Sequence, residues 1–563
     1  SGLASSSTMA TIDAQAKEGQ WAEKVGTTTS EHNAAARDTN VAIDNEHKMT
    51  LRQSFRFWWK AIVFSFVISL SVIMEGYDTS LMNNFFPFPA FKNKFGDEFD
   101  PTDGGKLVSS RWQTIILNGT QVGCIIGLII NGYISEWLGY KKTMVATMLF
   151  MIAAIFIPFF STGLEMFLAG GMIQGLPWGI FQTLSISYAA DLCPTHLRAY
   201  MTSWVNMCWV IGGLLSTGIL RGLFNIQSEW GYKIPFALQW IWPIPIIVTT
   251  LLCPESPWWL VRHGRIDEAK RSVQKLMTPQ PDIEFDLDAH VEMMIVTNKF
   301  EEEMSSGTNY WHLFKGSDFR RTEVSAMAFI TQAFCGVPFM GYGIQFMQNA
   351  GLDPAHAFDL GVVQNSIGLI GCIIAWYTIA RFGRRTLYLT GLSVIVVVLT
   401  IVGCLGLAPG SNRDASWAVG ALLIIMLFAF QLTLGPICYC IAAEIPSTRL
   451  RIKTVALARA SYNSAVFVNN TVMPKMVGKN DWNWGAKGGF LWAGVAFVFL
   501  IWTWFRLPES YGLTYSELDL LFEHGAGARE FSREKAAMLK PALADVAMHS
   551  QKQAGLQHIE TTV

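Results

Sequence analysis

Charge is scarce in this sequence. Asp, Glu, Lys and Arg supply 15% of its 563 residues, against roughly 25% in a typical soluble domain. With hydrophobic residues at 51%, that scarcity excludes a disordered protein and a coiled coil. The 42 basic and 43 acidic residues nearly cancel, so nothing draws the whole chain to nucleic acid. Nine cysteines occur, all in or beside apolar runs rather than at framework spacing, which argues against a disulfide scaffold. Cys438-Tyr439-Cys440 reads as small apolar filler rather than a metal pair. No phosphate-binding loop, nucleophile motif or metal-ligand cluster is visible, so neither an enzyme nor a cofactor is expected. Residues 1–56 are polar and lack a short apolar core with a cleavage site, so no cleavable signal peptide is expected there.

Apolar length is what the chain has in abundance. Aromatic residues alone make up 13%, and mean hydropathy is +0.30. A helix needs about 20 apolar residues to cross a bilayer. Twelve segments qualify: 57–80, 112–137, 143–162, 164–190, 201–222, 236–253, 323–347, 357–380, 386–408, 416–444, 453–476 and 487–507. The longest polar interruption, 254–322, divides them six and six. The expected order is a disordered tail (1–56), a six-helix bundle (57–253), a middle loop with short helices (254–322), a second bundle (323–507) and a C-terminal tail (508–563). Within the loop, Ile266 to Leu276 reads as an amphipathic helix.

Basic residues in short loops orient such a chain. Lys141, Lys142, Arg198, Arg384, Arg385, Arg449, Arg451 and Lys453 fall in loops on one side, which also holds the middle loop. That side should be the cytoplasm, with both termini. The opposite loop, 91–110, is acidic. The bundles also resemble each other. Asp191-Leu192-Cys193-Pro194 and Arg198 echo Glu444-Ile445-Pro446 and Arg449. Pro254-Glu255-Ser256 returns as Pro508-Glu509-Ser510. A parallel six-helix repeat places a substrate site between the halves, near the midplane.

These motifs carry a specific resemblance. Gly132-Tyr133-Ile134-Ser135-Glu136-Trp137-Leu138-Gly139-Tyr140-Lys141 is similar to the loop signature of the major facilitator superfamily, with Glu for its usual Asp. Pro254-Glu255-Ser256-Pro257-Trp258-Trp259-Leu260 and Pro508-Glu509-Ser510 resemble the sugar-porter sequences after spans six and twelve. Within that group, Met74-Glu75-Gly76-Tyr77-Asp78-Thr79, Asn84-Phe85-Phe86 and Trp482-Asn483-Trp484-Gly485-Ala486-Lys487 look most like fungal α-glucoside (maltose-type) permeases. The resemblance covers about 57 to 523. It implies an all-α membrane protein with the major facilitator fold, twelve helices as two six-helix bundles.

Ionisable residues inside a span are costly unless paired or hydrated, so each is a functional candidate. Glu75 and Asp78 share a face of the first span. The resemblance makes Asp78 a proton carrier; alternatively it caps a broken helix or sits at the outer boundary. Many proton-linked sugar porters pair this Asp with an Arg in span four, but here that stretch reads Gly170-Gly171-Met172. Arg459, about 9 Å inside Lys453 at 1.5 Å per residue, is the replacement cation or a side chain snorkelling to the surface. Between Trp112 and Ser135, span two also lacks the carboxylate that several α-glucoside permeases carry.

A sugar needs amides and hydroxyls around it, with rings to stack on. Gln174, Gln182, Asn206, Gln332, Tyr342, Tyr439 and Asn463 are the candidates. Asn206, Gln332, Tyr439 and Asn463 fall at or beside site positions of the family. Gln174, Tyr342 and Gln345 also fit interhelical hydrogen bonding. Pro338 replaces an Asn usual in hexose carriers, which favours a different sugar size. Glu136, Lys141, Asp191, Arg198, Arg384, Glu444, Arg449 and Arg451 form the expected cytoplasmic gate. Asn118-Gly119-Thr120 and Asn469-Asn470-Thr471 match the glycosylation pattern but lie inside spans. The reading is a plasma-membrane sugar:proton symporter importing a disaccharide by alternating access. Its expected partners are sugar, protons and lipid, and it would act as a monomer. The alternative is a sugar sensor of the same fold with little or no transport.

Overall fold

Inside a bilayer, backbone polar groups must pair within their own segment, so apolar chains cross as helices. The computed structural model describes residues 51–532, apart from 101–103, 193–194, 281–284, 306–309, 350–351, 408–412, 448–449, 512 and 514. Among the described residues, ten helices are long and apolar enough to cross a membrane. The first three are Trp59–Phe85, Ser110–Leu138 and Tyr140–Phe159. The fifth span is the helix Thr195–Gly222, and the sixth covers Trp230–Leu252. In the second half they are Gly316–Gly341 (seven), Pro354–Ile379 (eight), Arg384–Leu405 (nine), Asp414–Glu444 (ten) and Gly485–Arg506 (twelve). Two more helices, Leu164–Leu192 and Arg451–Val477, stand where spans four and eleven were expected. The eleventh carries Arg459, Asn463, Asn469 and Asn470 within its length. All twelve expected spans are therefore helical.

The chain forms two units. One holds 51–62 of the described chain, part of 191–197, and the middle loop to Ser306. The other holds both bundles. In the first unit, residues that read as tail form the helix Leu51–Phe57. Phe57 packs on Phe285 with ring centroids 5.1 Å apart. The amphipathic helix is present from Ile266 to Leu276, burying Ala269, Val273 and Leu276.

Within the bundles, glycine sets the closest helix approach. Gly123 and Gly127 of the second span face Gly175 and Gly179 of the fourth. A Cβ on Gly127 would lie 2.1 Å from the Leu176 carbonyl oxygen, and one on Gly179 would lie 2.1 Å from that of Cys124. Small residues four apart let backbones meet in this way. Gly127→Val should therefore overpack the seam, at about 1–3 kcal/mol or more. Quantitative surface labelling in cells should show several-fold less folded protein. Wild-type levels would mean that the two helices can part freely.

Several spans are broken where the sequence breaks them. The seventh turns at Gly336, whose φ of 97° is left-handed, and resumes at Val337. The tenth is interrupted at Thr433, ahead of Gly435-Pro436. The first span runs unbroken, so Asp78 lies in a helix interior and caps nothing.

At one end of the bundles the halves are tied by charge. Lys479 Nζ meets Asp100 Oδ2 at 2.6 Å, and Arg221 Nε meets Asp359 Oδ1 at 2.5 Å. Nearby, hydrogen bonds from Lys233 and Lys94 hold the Glu229 carboxyl down at about 2. A depressed carboxyl contributes stability above its unfolded value of 4.5 and loses it only as pH falls toward 2. The Glu229 cluster therefore persists at mildly acidic pH.

Candidate functional site

Glu75 and Asp78 are both fully buried on the first span. Their surroundings differ. Gln182 of the fourth span donates from Nε2 to Glu75 Oε1 at 2.5 Å. The other end of the same amide accepts from Arg459 Nη2 at 3.3 Å. Gln182 thus joins a carboxylate in one bundle to a guanidinium in the other. Arg459 also donates to Tyr439 Oη at 3.4 Å. Four rings surround its guanidinium: Tyr462 at 4.9 Å, Phe329 at 5.5 Å, Tyr439 at 5.7 Å and Trp209 at 6.0 Å. Aromatic faces attract a desolvated planar cation. Arg459 is 7% exposed, so it does not snorkel.

Asp78 has a different shell. Trp178 Nε1 donates to its Oδ2 at 3.0 Å. Oδ1 accepts no hydrogen bond among the described residues. Gln239, which accepts from Gln174 Nε2 at 3.2 Å, lies beside the carboxylate without closing a bond to it. All of these partners belong to the first half, and none is a cation.

A cavity of about 140 Å³ lies between the bundles. Glu75, Gln182, Trp178, Trp209, Tyr462 and Asn463 are on its wall. Asn463 accepts from Gln121 Nε2 of the second span at 2.9 Å, and its own Nδ2 has no partner among the described residues. Asn206 bridges the halves at another level, donating to Gln431 Oε1 at 2.9 Å. Gln332 donates to the Gly435 carbonyl at 3.3 Å, across the break of the tenth span. Tyr342 is buried, its hydroxyl without a partner among the described residues. The candidates therefore divide. Gln182 and Asn463 line the cavity, while Gln174, Asn206, Gln332, Tyr342 and Tyr439 lie off its wall, Tyr439 as a partner of Arg459.

Trp178, Gln121, Tyr462, Gln239 and Gln431 were not singled out from the sequence. For Gln121 and Gln431 the signal was an amide within an apolar run. For Trp178 and Tyr462 there was none, because buried rings are common in any bundle.

The charged helix ends repeat one device. Ser256 donates to Asp191 Oδ2 at 2.8 Å, with Arg262 at 3.6 Å. Ser510 donates to Glu444 Oε2 at 2.6 Å, and Arg384 meets Glu444 Oε1 at 3.0 Å. The sequence repeat is thus a repeat of bonds, each made within its own half. Lys141 donates to the carbonyls of Leu251 and Cys253. Glu136 is exposed near the end of the second span. Arg449 and the side chains of Arg198 and Arg451 lie outside the described residues. Among the described residues no group of three His, Cys, Asp or Glu could hold a metal, and eight cysteines are free.

A sequence profile for sugar (and other) transporters matches residues 64–522. The chain belongs to this sugar transporter family. Its members are transporters rather than enzymes. A maltose permease of Saccharomyces cerevisiae is 35% identical to this sugar transporter over 536 residues, 94% of this chain and 86% of the yeast protein. A general alpha-glucoside permease of the same yeast is 38% identical over 507 residues, covering 88% and 81%. Among solved structures, the Escherichia coli proton:xylose symporter XylE superposes with a TM-score of 0.67 at 20% identity. That match covers 82% of this chain and 99% of XylE, and it supports the major facilitator fold. This sugar transporter is thus a multi-pass membrane protein of twelve helices in two bundles.

Proposed function

We propose that the protein imports an α-linked disaccharide with protons across the plasma membrane by alternating access, acting as a monomer with both termini cytoplasmic. One observation carries this reading: the line Glu75–Gln182–Arg459 runs from one bundle to the other, with Glu75 and Gln182 on the wall of the central cavity. A proton on the first span and a movement between bundles can therefore affect each other. Asp78 is the proton carrier, since it is buried beside neutral donors alone. An ionised carboxylate in such a site is costly, and a bound proton removes the cost. Glu75 senses that change through its neighbouring face, and Arg459 supplies the cation absent from span four. Sugar hydroxyls would meet Gln182, Asn463 and Gln121, with Trp178, Trp209 and Tyr462 offering apolar faces. Asp191, Arg384 and Glu444, together with Glu136 and Lys141, are assigned to the inner gate. The likeness to maltose and general alpha-glucoside permeases supports the α-glucoside.

The test uses cells lacking sugar carriers, with external pH recorded while maltose, sucrose, cellobiose, lactose or glucose is added. Alkalinisation by maltose or sucrose and not by cellobiose supports α-glucoside symport. Sugar entry without a pH change would make the protein a uniporter. Neither signal, from protein shown to be at the surface, would favour a sensor.

A further inference from the structure

Span twelve ends in two rings that face outward. Trp504 is 49% exposed and Phe505 is 64% exposed, and on a membrane span such a surface meets lipid. Two arginines from other parts of the chain lie against it. Arg385, at the start of span nine, holds its guanidinium 5.6 Å from the Trp504 ring and donates from Nη2 to the Trp504 carbonyl at 2.7 Å. Arg529 lies 4.8 Å from the same ring and 6.0 Å from that of Phe505. The C-terminal segment brings it there. That segment follows the helix Tyr515–Glu523 and is fastened to span seven, where Arg320 donates to the Ala526 carbonyl at 2.6 Å and lies over the rings of Phe522 and Phe531.

Two like charges on one ring repel each other, so an anion should lie with them. The acid whose charge reaches Arg385 is Glu509, and its oxygens are taken by the backbone N–H groups of Arg384, Arg385 and Tyr511. Arg529 has no ion pair and no side-chain hydrogen bond among the described residues, so its N–H donors are open. With Glu509 counted, the patch keeps one net positive charge where protein meets lipid. A phosphodiester carries one negative charge, and planar guanidinium groups suit its oxygens. Anionic phospholipids lie in the cytoplasmic leaflet. We infer that Arg385, Arg529 and Trp504 form a site for the headgroup of an anionic phospholipid of that leaflet, which fastens the C-terminal segment to spans nine and twelve. The inference rests on the orientation proposed above, with both termini cytoplasmic, and not on the sugar carried.

Native mass spectrometry of the full-length protein, released from nanodiscs of phosphatidylcholine and phosphatidylserine, tests it. One phosphatidylserine should be retained in preference to phosphatidylcholine. Arg529→Gln and Arg385→Gln should each weaken its retention about five- to tenfold. Arg271→Gln, an exposed basic position of the middle loop, should not. Hydrogen exchange at 524–532 should be slower with phosphatidylserine than without it in the wild type, and equal in Arg529→Gln, whose monodisperse elution shows that it is folded. Equal retention of the two lipids, or an equal loss in Arg271→Gln, would mean general attraction and overturn the site. Displacement of the lipid by millimolar inorganic phosphate would make it a site for a free anion instead. A C-terminal epitope reached by antibody from outside intact cells would overturn the orientation, and the inner leaflet with it, whatever lipid is retained.

Discussion

Asp78→Asn abolishes sugar-driven proton uptake and pH-driven accumulation, while passive exchange of sugar across the membrane persists. The substitution keeps shape and one bond, because an Asn oxygen can still accept from Trp178 Nε1, now 3.0 Å from Asp78 Oδ2. What it removes is the ability to bind and release a proton. Among the described residues no cation pairs with the carboxylate, so its charged form bears a cost of several kcal/mol. A cost near 3 kcal/mol corresponds to roughly 100-fold in an equilibrium, and a loss of at least that order is expected in the initial rate of alkalinisation. Counterflow of labelled sugar, which needs no net proton movement, separates a dead carrier from an uncoupled one. Full alkalinisation by the variant would move the proton to Glu75.

Arg459→Leu should be the next most damaging change. It strips the Gln182 amide of its donor and leaves Glu75 facing no opposite charge. Removing one partner from a buried charged network costs about 3–5 kcal/mol, so uptake should fall by roughly 100-fold or more. Arg459→Lys should not restore it, since four rings frame a flat guanidinium rather than a compact ammonium. The double variant Arg459→Leu with Glu75→Gln discriminates a coupled pair from two independent losses. It should recover part of the sugar exchange, because no buried charge is then left alone. Intact pH-dependent uptake in Arg459→Leu alone would remove this arginine from the coupling.

The fold was legible because the bilayer makes it so. Apolar length and two echoed motifs were enough to set twelve helices in two halves. Glu75, Asp78 and Arg459 stood out for the same reason: a charge in an apolar run is rare. Their connection was not visible. Gln182 was read as a sugar contact, and its two-ended bond appears only once spans one, four and eleven are side by side. Trp178 was hidden by its own chemistry, because a tryptophan in a span reads as packing until its Nε1 is seen against a carboxylate. The charged helix ends were visible as a set, but their bonds to Ser256 and Ser510 were not, since neither serine signals an acceptor 66 or so positions away.

The glycine contact between the second and fourth spans decides where the molecule can slip. Where backbone touches backbone there is no side chain to swing aside, so the two helices travel as one lever. The second span meets the eleventh through side chains instead, Asn118 to Thr471 and Gln121 to Asn463. Such bonds are worth about 0.6–2 kcal/mol each inside a membrane, and they can open in turn like the teeth of a zip. Part of the friction between the halves thus lies in a few amides, beside the ion pairs and the Gln182–Arg459 bond, and a hydroxyl-bearing cargo is expected to lower it by taking the place of those amides one at a time.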